Sequence, residues 1–134
     1  MDAQLIVAGS LAVLGAVVHG IGGEILVVRK LSPEMLSASA FGGPRMTMAM
    51  IHVTWHLTTV AFFTVGLALI LAGSVLEGDA ARGIGLFAAG TSTAFAAVVV
   101  GLGAANTKSP RSLLRHPGPV VLTATAALAW WGVL

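Results

Sequence analysis

Residues 5–28 read LIVAGSLAVLGAVVHGIGGEILVV, and this stretch decides the fold. A helix rises about 1.5 Å per residue and the bilayer hydrocarbon is about 30 Å thick, so roughly 20 apolar residues cross it. The run has 24 residues, and only His19 and Glu24 in it can carry charge. Arg29 and Lys30 follow at once and stop it, as at the end of a spanning helix. A cleavable leader is the competing reading, and Ala38-Ser39-Ala40 has the small-residue form of a cleavage site. Yet Met1-Asp2-Ala3-Gln4 brings no Lys or Arg, and the run exceeds the ~7–15 residues of a leader core. A retained membrane span is expected.

Outward from this stretch the pattern repeats. Further apolar segments occupy about residues 46–72, 83–105 and 117–134. The last is marginal in length, and Trp130 and Trp131 near its end suit the interfacial aromatic belt. Apolar residue types make up 57% of the 134-residue chain and charged residues 9%. Mean hydropathy is +0.96. A soluble domain carries about 25% charged residues, so this chain cannot cover a water-facing surface. The expected fold is all-α: one integral-membrane four-helix bundle spanning residues 1–134. Ser32-Pro33-Glu34 predicts a short interfacial helix in loop one reaching about Ala40, and Gly42-Gly43-Pro44 then breaks the chain. Small residues at helical spacing predict close-packed faces: Ala8, Ala12, Gly15, His19 and Gly22 on helix one; Gly90, Ala94, Ala97 and Gly101 on helix three. Thr91-Ser92-Thr93 reads as backbone-bonded or interhelical hydroxyls.

Charge sets the expected orientation. Loops one and three hold Arg29, Lys30, Arg45, Lys108, Arg111 and Arg115, leaving only Arg82 on the other side with Glu77, Asp79 and Asp2. The positive-inside rule puts the basic loops in the cytoplasm, with both termini outside a bacterial inner membrane.

Several functions are excluded or weakened. With no cysteine, the chain supplies no disulfide, thiolate zinc site or iron–sulfur ligand. No basic stripe with interleaved aromatics points to nucleic acid. No glycine cluster matches a phosphate loop or dinucleotide fingerprint. No Ser/His/Asp or paired-carboxylate set is visible. Met46, Met48 and Met50 alternate without sharing a helix face, which weakens a thioether copper site.

One constellation carries chemistry. His19, Glu24, His52 and His56 are the strongly polar ionisable residues within the predicted spans, where a charge costs about 2.5–3.5 kcal/mol. Counted from the cytoplasmic ends, His19 and His56 lie at similar depth, with Glu24 and His52 one level nearer the surface. His52 and His56 are spaced i, i+4 and share a face with Arg45, Met48, Thr59 and Phe63. His116 opens helix four on the same side. His19 and Glu24 are five apart, about 140° on an ideal helix, and a π-bulge in His19-Gly20-Ile21-Gly22-Gly23-Glu24 would bring them together.

Two ligand sets follow. His19, Glu24, His52 and His56 offer three nitrogens and one oxygen to zinc, iron or copper. Alternatively, His19 and His56 ligate a haem iron axially, with Arg29, Arg45 and Arg115 placed to meet propionates; a single-histidine chlorophyll-type magnesium is a variant. Each residue also has an ordinary reading. His19 would serve a neighbouring helix as a hydrogen-bond partner. His52 would be hydrated near the interface, and His56 would follow Trp55 in the aromatic belt. Glu24 would pair with Arg29 or Arg45, and His116 would cap helix four.

At His19 to Glu24 and at Trp55-His56 the chain resembles a group of small bacterial four-helix membrane proteins of unknown function. The resemblance covers the first half and implies no activity. The small multidrug exporters are not matched, because no glutamate lies in the middle of helix one; nor is the fluoride-channel pattern. Three functions stay open: a metal- or haem-binding and redox-related membrane protein, an accessory subunit of a larger complex or a homo-oligomer, and a small transporter or proton path.

Overall fold

The computed structural model describes residues 1–106 and 116–134. Lys108, Arg111 and Arg115, which enter the charge count above, lie outside the described residues. Among the described residues there are four long helices and no strand. They are α1, Ala3–Lys30; α2, Pro44–Ser74; α3, Gly78–Asn106; and α4, Pro117–Val133. The first three are long and apolar enough to cross a membrane. The fourth has 17 residues.

Each helix packs on two others, in the order α1–α2–α3–α4 and back to α1. The core joins Leu5 and Ala8 of α1, Leu69 and Ala72 of α2, Ala88 and Ala89 of α3 and Ala129 of α4. This core lies at the end of the molecule where α1 begins. The Asp2 carboxylate caps α1 by accepting from the Leu5 N–H at 2.9 Å, and the Asp2 N–H donates to the Gly73 carbonyl at 2.7 Å. One bond satisfies an orphan donor and the other ties the start of α1 to the end of α2.

Small residues govern the approach of α1 to α2. Gly9 and Gly66 are both buried where these helices cross. A Cβ on Gly66 would stand 2.9 Å from the Gly9 carbonyl oxygen.

The structure corrects four expectations. The stripe Gly90, Ala94, Ala97 and Gly101 faces outward; the packed face of α3 is Gly85, Ala88, Ala89, Ser92 and Ala96. Both stripes have helical spacing, and contact with α4 and α2 selects the second. On α1, Leu5, Ala8, Gly9 and Ala16 are buried, whereas Ala12, Gly15, His19 and Gly22 are only half-buried. Loop two, expected over residues 73–82 between the apolar runs, shrinks to residues 75–77, because Gly78 takes φ +56° and starts α3 at once, with Asp79 in its first turn. There a carboxylate meets the positive end of the helix. The interfacial helix is a single 3₁₀ turn, Pro33–Met35. Ser32 makes no side-chain cap bond, and Ser39 instead exchanges backbone bonds with Gly42, whose φ is +152°. Ser32 hydrogen-bonds Glu34 and holds its carboxyl below the ordinary carboxylate range. A depressed carboxyl stabilises at neutral pH, and the effect is lost as pH falls through the lowered value.

Side-chain hydroxyls are mostly used locally. Thr91, Ser92 and Thr93 donate to the carbonyls four residues back, and Thr93 Oγ1 also accepts from Trp130 Nε1 at 2.9 Å. Trp130 is thereby tied to α3, whereas Trp131 is exposed. Thr125 Oγ1 on α4 is buried without a partner. An unmade buried hydrogen bond costs about 1–3 kcal/mol. Thr125→Val keeps the shape and removes the hydroxyl, so it is expected to stabilise the fold by about 1 kcal/mol in a reversible unfolding titration. A loss of stability would show that the hydroxyl has a partner.

Candidate functional site

The second half of α1 is not a regular α-helix. It runs α over Ala3–Val17, π over Val18–Gly22, α over Gly23–Leu26 and 3₁₀ over Val28–Lys30. The widened turn falls in the glycine-dense run singled out above. It absorbs one extra residue, so His19 and Glu24 both meet α2 instead of diverging by about 140°.

Three groups from α2 fit this turn. Trp55 stacks flat on the His19 ring, with centroids 4.3 Å apart and planes within 10°. Its indole Nε1–H donates to the His19 carbonyl at 3.1 Å. Its six-membered ring covers Gly23 so closely that a Cβ there would overlap Trp55 Cζ2. Thr59 Oγ1 lies 2.9 Å from His19 Nδ1 while donating to the Trp55 carbonyl at 3.1 Å. With its proton directed to that carbonyl, Thr59 Oγ1 is left to accept from Nδ1 of His19. Phe62 meets the same imidazole edge-on at 5.6 Å.

One turn further along, Glu24 sits between two histidines and an arginine. Its Oε1 accepts from Arg29 Nε at 3.2 Å. Its Oε2 is 3.4 Å from His56 Nε2 and 3.9 Å from His52 Nε2. Those separations allow attraction, but neither contact is aligned as a hydrogen bond, and Oε2 is buried without a hydrogen-bond partner. The carboxylate is 17% exposed, and the His52 and His56 side chains 42% and 53%. The cluster is thus closed on the Glu24 side and open on the histidine side. The two imidazoles stand edge to face with centroids 6.2 Å apart, as i, i+4 spacing requires.

The expected residues therefore divide. Glu24, His52 and His56 converge. His19 is drawn to Thr59 and Trp55. His116 caps α4, its Nδ1 accepting from the Gly118 N–H at 3.1 Å. Several ordinary readings are met: His19 bonds a neighbouring helix, Glu24 pairs with Arg29, and His116 caps. Arg45 is exposed at the start of α2 and makes no ion pair among the described residues. Nor, among the described residues, do any three His, Asp or Glu side chains already stand as a metal-holding group. The His52 nitrogen, at 3.9 Å, has to swing inward first.

Sequence reasoning missed Trp55, reading it as a belt residue. The available signal was complementarity: a glycine-dense turn on one helix facing the largest side chain on the next. Compared with protein-family models, characterised proteins and solved structures, the chain matches none.

Proposed function

We propose that this chain is a four-helix transmembrane protein of a bacterial inner membrane that binds a divalent transition metal through Glu24, His52 and His56. The observation that carries the reading is the Glu24 oxygen buried without a hydrogen-bond partner between two imidazole nitrogens. A buried carboxylate oxygen left without a hydrogen-bond partner is costly even where the other oxygen is paired with Arg29, and a cation is the partner that would satisfy Oε2 and both imidazoles at once. Metal–nitrogen and metal–oxygen bonds of about 2.0–2.1 Å put tetrahedral co-ligands about 3.4 Å apart. Glu24 and His56 already have that separation, 3.4 Å, and a side-chain rotation brings in His52. Two imidazoles and a carboxylate suit zinc, iron or copper and leave a coordination position open. That open position permits redox or hydrolytic chemistry but selects neither.

Location supports the reading. Helix α2 has 31 residues, about 46 Å of helix against about 30 Å of hydrocarbon. A surplus lying at its N-terminal end would put His52 near the headgroup boundary, where a hydrated ion can arrive. Orientation by charge puts that boundary on the cytoplasmic side and the termini outside. Haem ligation by His19 and His56 rests on their common depth; the contacts of His19 are with Thr59, Trp55 and Phe62.

A second reading, an accessory subunit or homo-oligomer, is favoured by the outward stripe of α3. Gly83, Gly90 and Gly101 have open space where a Cβ would be, so a neighbouring helix can come close there.

The test is metal titration of detergent-purified, chelator-stripped protein, with Co²⁺ as optical reporter and elemental analysis of zinc, iron and copper. One ion per chain is expected in the wild type. His56→Ala is expected to lower the affinity by about 100-fold or more. Stoichiometric binding that survives His56→Ala would move the site elsewhere. No binding to the wild type would end the reading for the isolated chain.

A further inference from the structure

The π-turn of α1 lies against Trp55 of α2. In a regular helix the five steps from His19 to Glu24 would carry the carboxylate about 140° around from His19, away from the face that meets α2. Trp55 occupies the three places that a return to regular geometry would disturb: the face of the His19 ring, the His19 carbonyl and the bare Cα of Gly23. Its N–H satisfies a carbonyl in the widened turn, where backbone bonding is divided. The Gly23 N–H, for example, faces the carbonyls of Val18, His19 and Gly20 together. Ile21, by contrast, is 63% exposed and forms no part of this contact.

We propose that Trp55 is a positioning residue: it wedges α1 into the π-turn and so fixes the register that presents Glu24 to His52 and His56. The inference rests on the metal reading for its purpose but not for its geometry, and its test separates the two.

A π-bulge is a one-residue insertion accommodated in an α-helix. Deleting Ile21 should therefore give a regular helix with Glu24 still on the α2 face, now four places from His19. Trp55→Leu at full length should instead let the turn relax and rotate Glu24 away. The deletion should then rescue the substitution, which a merely structural loss of packing would not allow.

Two readouts are made on the full-length chain in bicelles. The first is Co²⁺ affinity. It should fall on the order of 10–100-fold in Trp55→Leu, the range for losing a group that orients a ligand. It should remain near wild type after deletion of Ile21 and return in the double variant. Trp55→Phe, which keeps a stacking ring but loses the N–H, should fall between. The second needs no metal. The chain has no native cysteine, so Glu24→Cys places a single thiol at the position in question. Its alkylation should be slow with Trp55, several-fold faster with Trp55→Leu and slow again when Ile21 is also deleted. Protection of the Glu24→Cys thiol that is indifferent to Trp55, or an Ile21 deletion that rescues neither readout, overturns the proposal. If the alkylation pattern appears while no chain binds Co²⁺, the wedge stands and the metal reading falls.

Discussion

Gly66→Val is expected to destabilise the fold by about 3 kcal/mol, the upper end of the usual cost of overpacking. The first added atom would lie 2.8 Å from Val13 Cγ2, 2.9 Å from the Gly9 oxygen and 2.9 Å from the Val13 nitrogen. Two of those three neighbours are backbone and cannot turn aside. The helices would have to separate, and the same crossing holds Leu5, Ala8, Leu69 and Ala72 in the core. In a membrane, helices are held by close contact rather than by expulsion of water, so separation forfeits most of what joins them. Gly90→Val is the control. No atom lies within 4 Å of a Cβ at Gly90, and the residue is exposed. It should change stability by less than about 0.5 kcal/mol. Unfolding of both variants in mixed micelles, followed by helical circular dichroism, decides the matter. Equal stability of Gly66→Val and wild type would mean that α1 and α2 do not cross at these glycines.

The helices were legible because membrane length and apolar composition leave few alternatives, and three helices of spanning length lie where the apolar runs are. Which small residues face inward was not legible. The stripes 85–88–89–92–96 and 90–94–97–101 of α3 are equally small and equally well spaced; only the neighbouring helices distinguish them. Loop one misled for a local reason. Ser32-Pro33-Glu34 is a helix start by composition, but the turn ends at Met35, and Ser39 pairs with Gly42 instead of continuing it. At the site, the i, i+4 histidines were legible from spacing alone. So was the glycine-dense run in which a π-turn would reconcile His19 with Glu24, and the turn is found at Val18–Gly22. The separation of His19 from the other three residues was not legible. It depends on a hydroxyl and an indole from α2, and similar depth on facing helices says nothing about which neighbour takes which hydrogen bond.

Glu24→Gln should separate function from fold at this site. The amide has nearly the shape of the carboxylate, so packing against α2 is preserved. The lost ion pair is a small term, because Arg29 is 70% exposed and such pairs contribute about 0–1 kcal/mol. The new amide N–H₂ can donate toward His56 or His52, the one kind of bond the present Oε2 cannot offer. Stability of the metal-free protein is therefore expected to stay within about 1 kcal/mol of wild type. Metal affinity should behave differently. The carboxylate supplies the only negative charge among the three proposed ligands, and a neutral amide is a poor ligand for a divalent ion beside two neutral imidazoles. A loss of about 100-fold or more in Co²⁺ affinity is expected. The contrast between the two measurements is what discriminates. Large destabilisation without any metal effect would show that the Glu24 carboxylate serves the fold rather than a metal. An unchanged fold with a collapsed affinity would identify it as the residue for which the buried, unbonded oxygen, the two flanking imidazoles and the wedged turn of α1 are arranged.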